Sequence, residues 1–161
     1  ICFLGNPTGG YLSTQPCTSP HTYGPLSDGA YEFFVGAGSP YTTRKFTVDT
    51  SKPAPQLLGA QIQSAGPTLG VTVACDEACQ AVASGSVNVP GTSRLYRLRS
   101  ATRHVAAGGR AKLKLRVPKQ ALRAIRAALR HQAKLTAKIA VRVTDKAGNT
   151  RTSRRRVKLT R

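Results

Sequence analysis

The segment AKLKLRV, residues 111–117, alternates without a break, with Leu113, Leu115 and Val117 at one parity and Lys112, Lys114 and Arg116 at the other. Side chains on an extended strand point in turn to opposite faces, so this spacing predicts a strand with one apolar and one cationic face. KLTAKIAVRVT (134–144) repeats the pattern, setting Leu135, Ala137, Ile139, Val141 and Val143 against Lys138 and Arg142. A chain that does this twice is committed to an antiparallel sheet with one face on a core and the other in water. LGVTVAC (69–75) and SGSVNV (84–89) add Leu69, Val71, Val73, Val87 and Val89 as inward positions, and RLYRLR (94–99) offers Leu95 and Leu98 in poorer register. Pro90-Gly91, Gly108-Gly109 and DKAGN (145–149) supply turns between them.

PKQALRAIRAALRHQ (118–132) changes the period to that of a helix. Pro118 suits a first turn, where its missing N–H would have no intrahelical partner anyway. The spacing puts Leu122, Ile125 and Leu129 on an apolar face and Lys119, Arg123, Arg126 and Arg130 on a cationic stripe. The expected helix spans about 118–131.

The first third of the chain is different in kind. YEFFV (31–35) is an aromatic strand preceded by the turn residues Asp28-Gly29, and RKFTV (44–48) alternates, placing Phe46 and Val48 on one face. GAGSP (36–40) joins them as a loop, and DTSKPAPQ (49–56) is polar with two prolines, which reads as a linker. Charge follows the same division. The whole chain of 161 residues carries +19, yet Arg44, Lys45 and Lys52 cancel Asp28, Glu32 and Asp49. All of the excess therefore lies beyond residue 55, where Asp76, Glu77 and Asp145 are the only acids. We expect two modules, 1–52 and 53–161, the second basic enough to attract anionic polymers.

Four cysteines fall into two close pairs, Cys2 with Cys17 and Cys75 with Cys79. In an oxidising compartment the spacing reads as two local disulfides. The rival is a four-thiolate metal site, but zinc ribbons use CxxC knuckles rather than the longer spacings found here. No apolar run approaches the roughly 18 residues of a membrane-spanning helix, so no transmembrane segment is expected. The chain opens on Ile1 without a secretory leader, which reads as a processed product or a fragment.

CTSPHTYGPLSDGAYEFFVGAG followed by FTVDTSKP resembles the end of bacterial Ig-like repeats of secreted and cell-surface proteins. Cys17-Thr18-Ser19-Pro20, Leu26, Asp28-Gly29 and Thr47-Val48-Asp49-Thr50 carry the likeness. Cys2 stands where the earlier cysteine of the family pairs with the later one, after what the family presents as a short loop. The likeness covers residues 2–53 and implies a partial Ig-like module that lacks its first strands, because only Ile1 precedes Cys2. Residues 57–161 resemble a second bacterial domain through Cys75–Cys79 after a strand, the basic helix after RVPK and the hairpin around VTDKAGNT. The resemblance implies an all-β chain of tandem Ig-like antiparallel β-sandwich modules, with one short helix crossing between sheets in the second. The short strands, with turns about every ten residues, point the same way. It further implies an extracellular or cell-surface setting and a structural or adhesive role beside neighbouring protein modules. A module without its first strands would also expose a sheet edge through which copies could self-assemble.

Candidate chemistry is sparse. His21, His104 and His131 are scattered, and Ser19, His21 and Asp28 are close in sequence without any nucleophile-elbow motif, so no enzyme activity is expected. DKAGN has too few oxygen ligands for a calcium loop, and no cofactor motif is present. The basic residues remain: Lys119, Arg123, Arg126 and Arg130 on the helix, with Arg154, Arg155 and Arg156 near the end, form a candidate anion-binding set. The bland alternative is a solvated face. Of nine aromatic residues only Tyr96 lies in the basic half, so base-stacking platforms are lacking and sequence-specific nucleic-acid binding is not expected. If the face binds anything, the expected ligand is an acidic cell-wall polymer, a polysaccharide or lipid headgroups, bound without sequence preference and sensitive to salt.

Overall fold

The computed structural model describes residues 1–6, 10–37, 40–92 and 94–161; the centre of the GAGSP loop, at 38–39, lies outside them. The chain divides into two compact units, Ile1–Ser51 and Lys52–Arg161. The regular structure of the first is entirely strands among the described residues, and the second is mostly strand with one helix.

The first unit is a four-stranded antiparallel sheet of β1 (Cys2–Gly5), β2 (Tyr11–Gln15), β3 (Gly29–Val35) and β4 (Thr42–Val48), ordered β2-β1-β3-β4. β3 and β4 contain the two expected strands. The segment between Cys2 and Cys17, expected as a short loop, instead supplies β1 and β2, and β1 lies inside the sheet. Four residues are too few to show a period, but pairing on both sides buries Leu4 completely. A disulfide joins Cys2 to Cys17 across 5.7 Å between Cα atoms, and closing a loop of that length contributes about 3 kcal/mol through the unfolded chain. β4 is a sheet edge, exposed from Thr42 to Thr47. Phe46 stacks on its cross-strand neighbour Tyr31 with ring centroids 5.5 Å apart. The Tyr31 hydroxyl donates to the Ser27 carbonyl at 2.8 Å.

Asp28 fastens the end of this unit. Its Oδ1 accepts from the Thr50 amide at 2.8 Å and the Thr50 hydroxyl at 2.7 Å, and its Oδ2 accepts from the Ser51 hydroxyl at 2.8 Å. The Asp-Gly and Val-Asp-Thr motifs thus meet through one carboxylate, 22 residues apart along the chain.

The second unit contains β5 (Gln56–Leu58), β6 (Ile62–Ser64), β7 (Thr68–Ala74), β8 (Cys79–Asn88), β9 (Leu95–Val105), β10 (Arg110–Arg116), α1 (Lys119–Arg130), β11 (Leu135–Asp145) and β12 (Thr150–Thr160). The second half of the expected linker belongs to it: Pro53 is buried, and the Ala54 amide donates to Asp76 Oδ1 at 2.8 Å. The strand order is β5-β7-β10-β9-β8-β11-β12-β6. All pairs are antiparallel except β12 with β6. β5 and β6 stand at opposite ends of that order, yet only Gly59–Gln61 separates them along the chain. The sheet must therefore curl until its two ends meet. It folds over between β9 and β10, whose ladder is reduced to Arg116 opposite Arg99.

Side chains close the seam. The Gln63 carboxamide on β6 acts like a peptide unit: its Nε2 donates to the Gly70 carbonyl at 2.6 Å and its Oε1 accepts from the Gly70 amide at 2.9 Å. Arg155 on β12 donates to the carbonyls of Leu57 and Gly59 at 2.8 and 2.7 Å. The Cys75–Cys79 disulfide ties the end of β7 to the start of β8.

Curling places every inward parity in one core. Leu69, Val71 and Val73 of β7 and Leu113 and Leu115 of β10 meet Ala81, Ala83 and Val87 of β8 and Ala137, Ile139, Val141 and Val143 of β11. Leu95 and Leu98 cannot both join them, because positions three apart on a strand face opposite ways. Leu98 is buried and Leu95 is 57% exposed. The helix links β10 to β11 and buries Ala121, Ile125 and Leu129, spaced four apart, while Leu122 is only half-buried. The apolar stripe is thus rotated toward Ala121 relative to the face expected from the three large residues.

The Thr50 hydroxyl, then the Ser51 hydroxyl and the Thr50 amide, hold the Asp28 carboxyl below its ordinary value. A depressed folded-state value means that the unfolded chain binds more protons in acid. The contribution is therefore complete above the unfolded value near 3.8 and disappears as pH falls through the folded one. Asp28→Asn, which mimics the protonated side chain, should lower amide protection in β3 and β4 at neutral pH. The gap from the parent should shrink below about pH 4; a gap independent of pH would contradict this role for the carboxylate.

Candidate anion-binding site

The core arrangement fixes where the cations go. An unpaired guanidinium in an apolar interior costs several kcal/mol, so Lys and Arg on the strands take the outward parity. Lys112, Lys114, Arg116, Lys138 and Arg142 are all exposed. The four helix cations Lys119, Arg123, Arg126 and Arg130 are exposed as well, on the stripe that the sequence requires. That stripe is partly engaged with its own protein. Arg126 Nε donates to the Ala65 carbonyl at 3.4 Å, and Arg161 caps the helix by donating to the carbonyls of Leu129 and Arg130 at 3.1 and 2.7 Å. Ala65, Arg126, Leu129, Arg130 and Arg161 line a shallow hollow of about 280 Å³ there.

The three consecutive arginines divide by parity. Arg154 and Arg156 stand on the outward face of β12 and are exposed. Arg155 turns inward with Val157 and Leu159, and its guanidinium holds the two carbonyls at the seam. Expected among the anion ligands, it is a structural stitch instead, because a one-residue step on a strand reverses the face.

Register then assembles a row that the linear sequence hides. Arg97 of β9 lies opposite Ser86 of β8, Ser86 opposite Lys138 of β11, and Lys138 opposite Arg156 of β12. In the adjacent row Ser84 lies opposite Ala140, and Ala140 opposite Arg154. Ser84, Ser86 and Ala140 on the middle strands are short, whereas Arg97, Arg154 and Arg156 at the sides and Lys138 between them are long, and together they line a concavity of about 560 Å³. At its floor the β8–β9 register shifts between Ala83 and Gly85, where β9 carries the extra residue. A Cβ on Gly85 would point inward, 3.0 Å from Leu98 Cδ1 and 3.3 Å from Leu115 Cδ2, so the core packs closely beneath β8. Among the described residues, none of Arg97, Lys138, Arg154 and Arg156 is paired with a carboxylate, and no acid lines the cleft. Arg97 was absent from the expected set. The sequence offered Leu95, which shares its parity, as an inward position, so alternation alone carried no signal for it.

The other candidates separate. All four cysteines are in disulfides, which leaves no thiolate for a metal. Both oxygens of Asp28 accept from Thr50 and Ser51 rather than orienting His21, whose ring packs edge-on against Tyr23 at 4.8 Å. In DKAGN, Asp145 Oδ1 accepts from the Asn149 amide at 2.8 Å, and Gly148 takes a positive φ of 97°; the segment is a hairpin turn between β11 and β12. Among the described residues no helix is long and apolar enough to cross a membrane. Comparison with protein-family models and with curated proteins finds no match to this chain.

The division of roles within β12 is measurable. Arg155→Gln should destabilise the second unit by about 1.5–3 kcal/mol, the usual worth of hydrogen bonds from a charged donor. Arg154→Gln and Arg156→Gln should each shift stability by less than about 0.5 kcal/mol, as exposed cations do. Equal thermal shifts for all three would contradict the inward assignment of Arg155.

Proposed function

We propose that this chain is a non-enzymatic, extracellular Ig-like β-module that adheres to an acidic polymer through the outward cationic faces of its second unit. The observation that carries the proposal is the sorting of charge. Strand alternation leaves a dense set of cations on the outside, and those around the large cleft have no internal carboxylate partner. Two disulfides favour an oxidising, extracellular setting. The Ig-like assignment is supported by the motifs around Cys17 and Asp28 and by the curled all-β arrangement with a helix between β10 and β11. Binding of this kind is driven by counterion release and is indifferent to sequence.

The intact protein should therefore be retained on two chemically unrelated resins, dextran sulfate and polyphosphate. Its affinity for both should fall in parallel as salt rises, with a log–log slope of several units set by the number of ion contacts. Affinity independent of salt, or retention by one resin alone, would contradict a sequence-blind electrostatic surface.

A further inference from the structure

We infer that the cleft on the outward face of β9, β8, β11 and β12 is a built subsite for an acidic polysaccharide, held at its carboxylate or sulfate groups by Arg97, Lys138, Arg154 and Arg156. The inference rests on the proposed function and assigns it a place and a ligand class.

The geometry favours a linear polyanion lying across the strands. Strands in a sheet are spaced by about 4.8 Å, so the row from Arg97 through Ser86 and Lys138 to Arg156 spans roughly 14 Å. Lys138 and Arg156 are direct cross-strand neighbours, with Cβ atoms about 5 Å apart. Arg154 stands two residues from Arg156, or about 7 Å along β12. Charges are thus spread over a path instead of converging on one point, which suits anions repeated along a chain. Arginine supplies three of the four cations, and its planar fork matches carboxylate and sulfate oxygens in pairs.

The lining decides among polymers. Ser84 and Ser86 put hydroxyls on the floor, where they can exchange hydrogen bonds with sugar hydroxyls. Among the described residues no aromatic ring lines the cleft, so a nucleic acid would find phosphate partners but nothing there on which to stack its bases. The cleft is a local hollow between long side chains, so a flat layer of lipid headgroups would meet those side chains and leave the serines of the floor without partners. The helix stripe offers less: the guanidinium groups of Arg126 and Arg161 are already bonded to carbonyls.

The test uses the whole chain and titrates heparin oligosaccharides, hyaluronan oligosaccharides, poly(dT) and phosphatidylserine vesicles over a salt series. One variant combines Arg97→Gln, Lys138→Gln, Arg154→Gln and Arg156→Gln. A second removes equal charge from the helix through Lys119→Gln, Arg123→Gln, Arg126→Gln and Arg130→Gln. A third, Ser84→Leu, fills the floor without changing charge. The parent should bind the two polysaccharides more tightly than poly(dT) or vesicles. The cleft variant should lose about tenfold or more in affinity for them, and its salt slope should fall by about 3. The helix variant should stay within about twofold of the parent, since its stripe is not the principal contact. Ser84→Leu should weaken polysaccharide binding while leaving the melting temperature and net charge unchanged. That readout stays informative if the fourfold variant folds poorly. Equal losses from cleft and helix variants, or an unaffected Ser84→Leu, would overturn the subsite and leave the proposed function standing. Tighter binding to poly(dT) or to vesicles would overturn the ligand class. A parent that binds none of the probes at low salt would overturn the proposed function, and the subsite with it.

Discussion

Strand alternation around a single shared core is the constraint on which the second unit depends. β7 and β10 on one side and β8, β11 and β12 on the other contribute their apolar parity to the same interior. Once that parity is occupied, the opposite one has only solvent to face, and the sequence fills it with Lys and Arg. The cationic surface is thus a direct consequence of the fold rather than an addition to it. A net charge this large repels itself and lowers the stability of the compact state. The β11–β12 hairpin nevertheless carries Lys138 beside Arg156, a like-charge pair that costs stability directly. A bound polyanion would relieve both costs, which links the fold's electrostatic burden to the function proposed for it.

The exceptions to alternation close the structure. Gln63 and Arg155 direct polar side chains along the seam where the curled sheet meets itself, and each satisfies backbone groups that the short strands β5 and β6 cannot pair by themselves. A buried or half-buried backbone carbonyl without a partner costs about 1–3 kcal/mol, so these bonds matter more than their number suggests. Arg161 does comparable work at the last carbonyls of α1. Three polar side chains that look like surface residues in the sequence therefore hold backbone together.

The long strands and the helix were legible in the sequence because their periods extend over many residues. β10 and β11 bury the residues that alternation selected, and α1 begins one residue after Pro118. β1, β2, β5 and β6 were not legible, since strands of three to five residues take their identity from the neighbours they pair with. The cleft was partly legible. Parity identifies Arg154 and Arg156 as outward, but only register reveals that Arg97, nearly 60 residues away in sequence, stands in their row. Arg155 was misjudged for the same reason: three adjacent arginines read as a cluster in a linear sequence and as two faces on a strand.

Amide chemical-shift mapping of the intact protein with a heparin tetrasaccharide tests the central claim most directly, because it reports where the polymer sits without altering any residue. The account predicts shifts concentrated on Ser84, Ser86, Arg97, Lys138, Ala140, Arg154 and Arg156, fading together as salt is raised. Shifts that centre on the helix stripe, or scatter over both units without a focus, would contradict it.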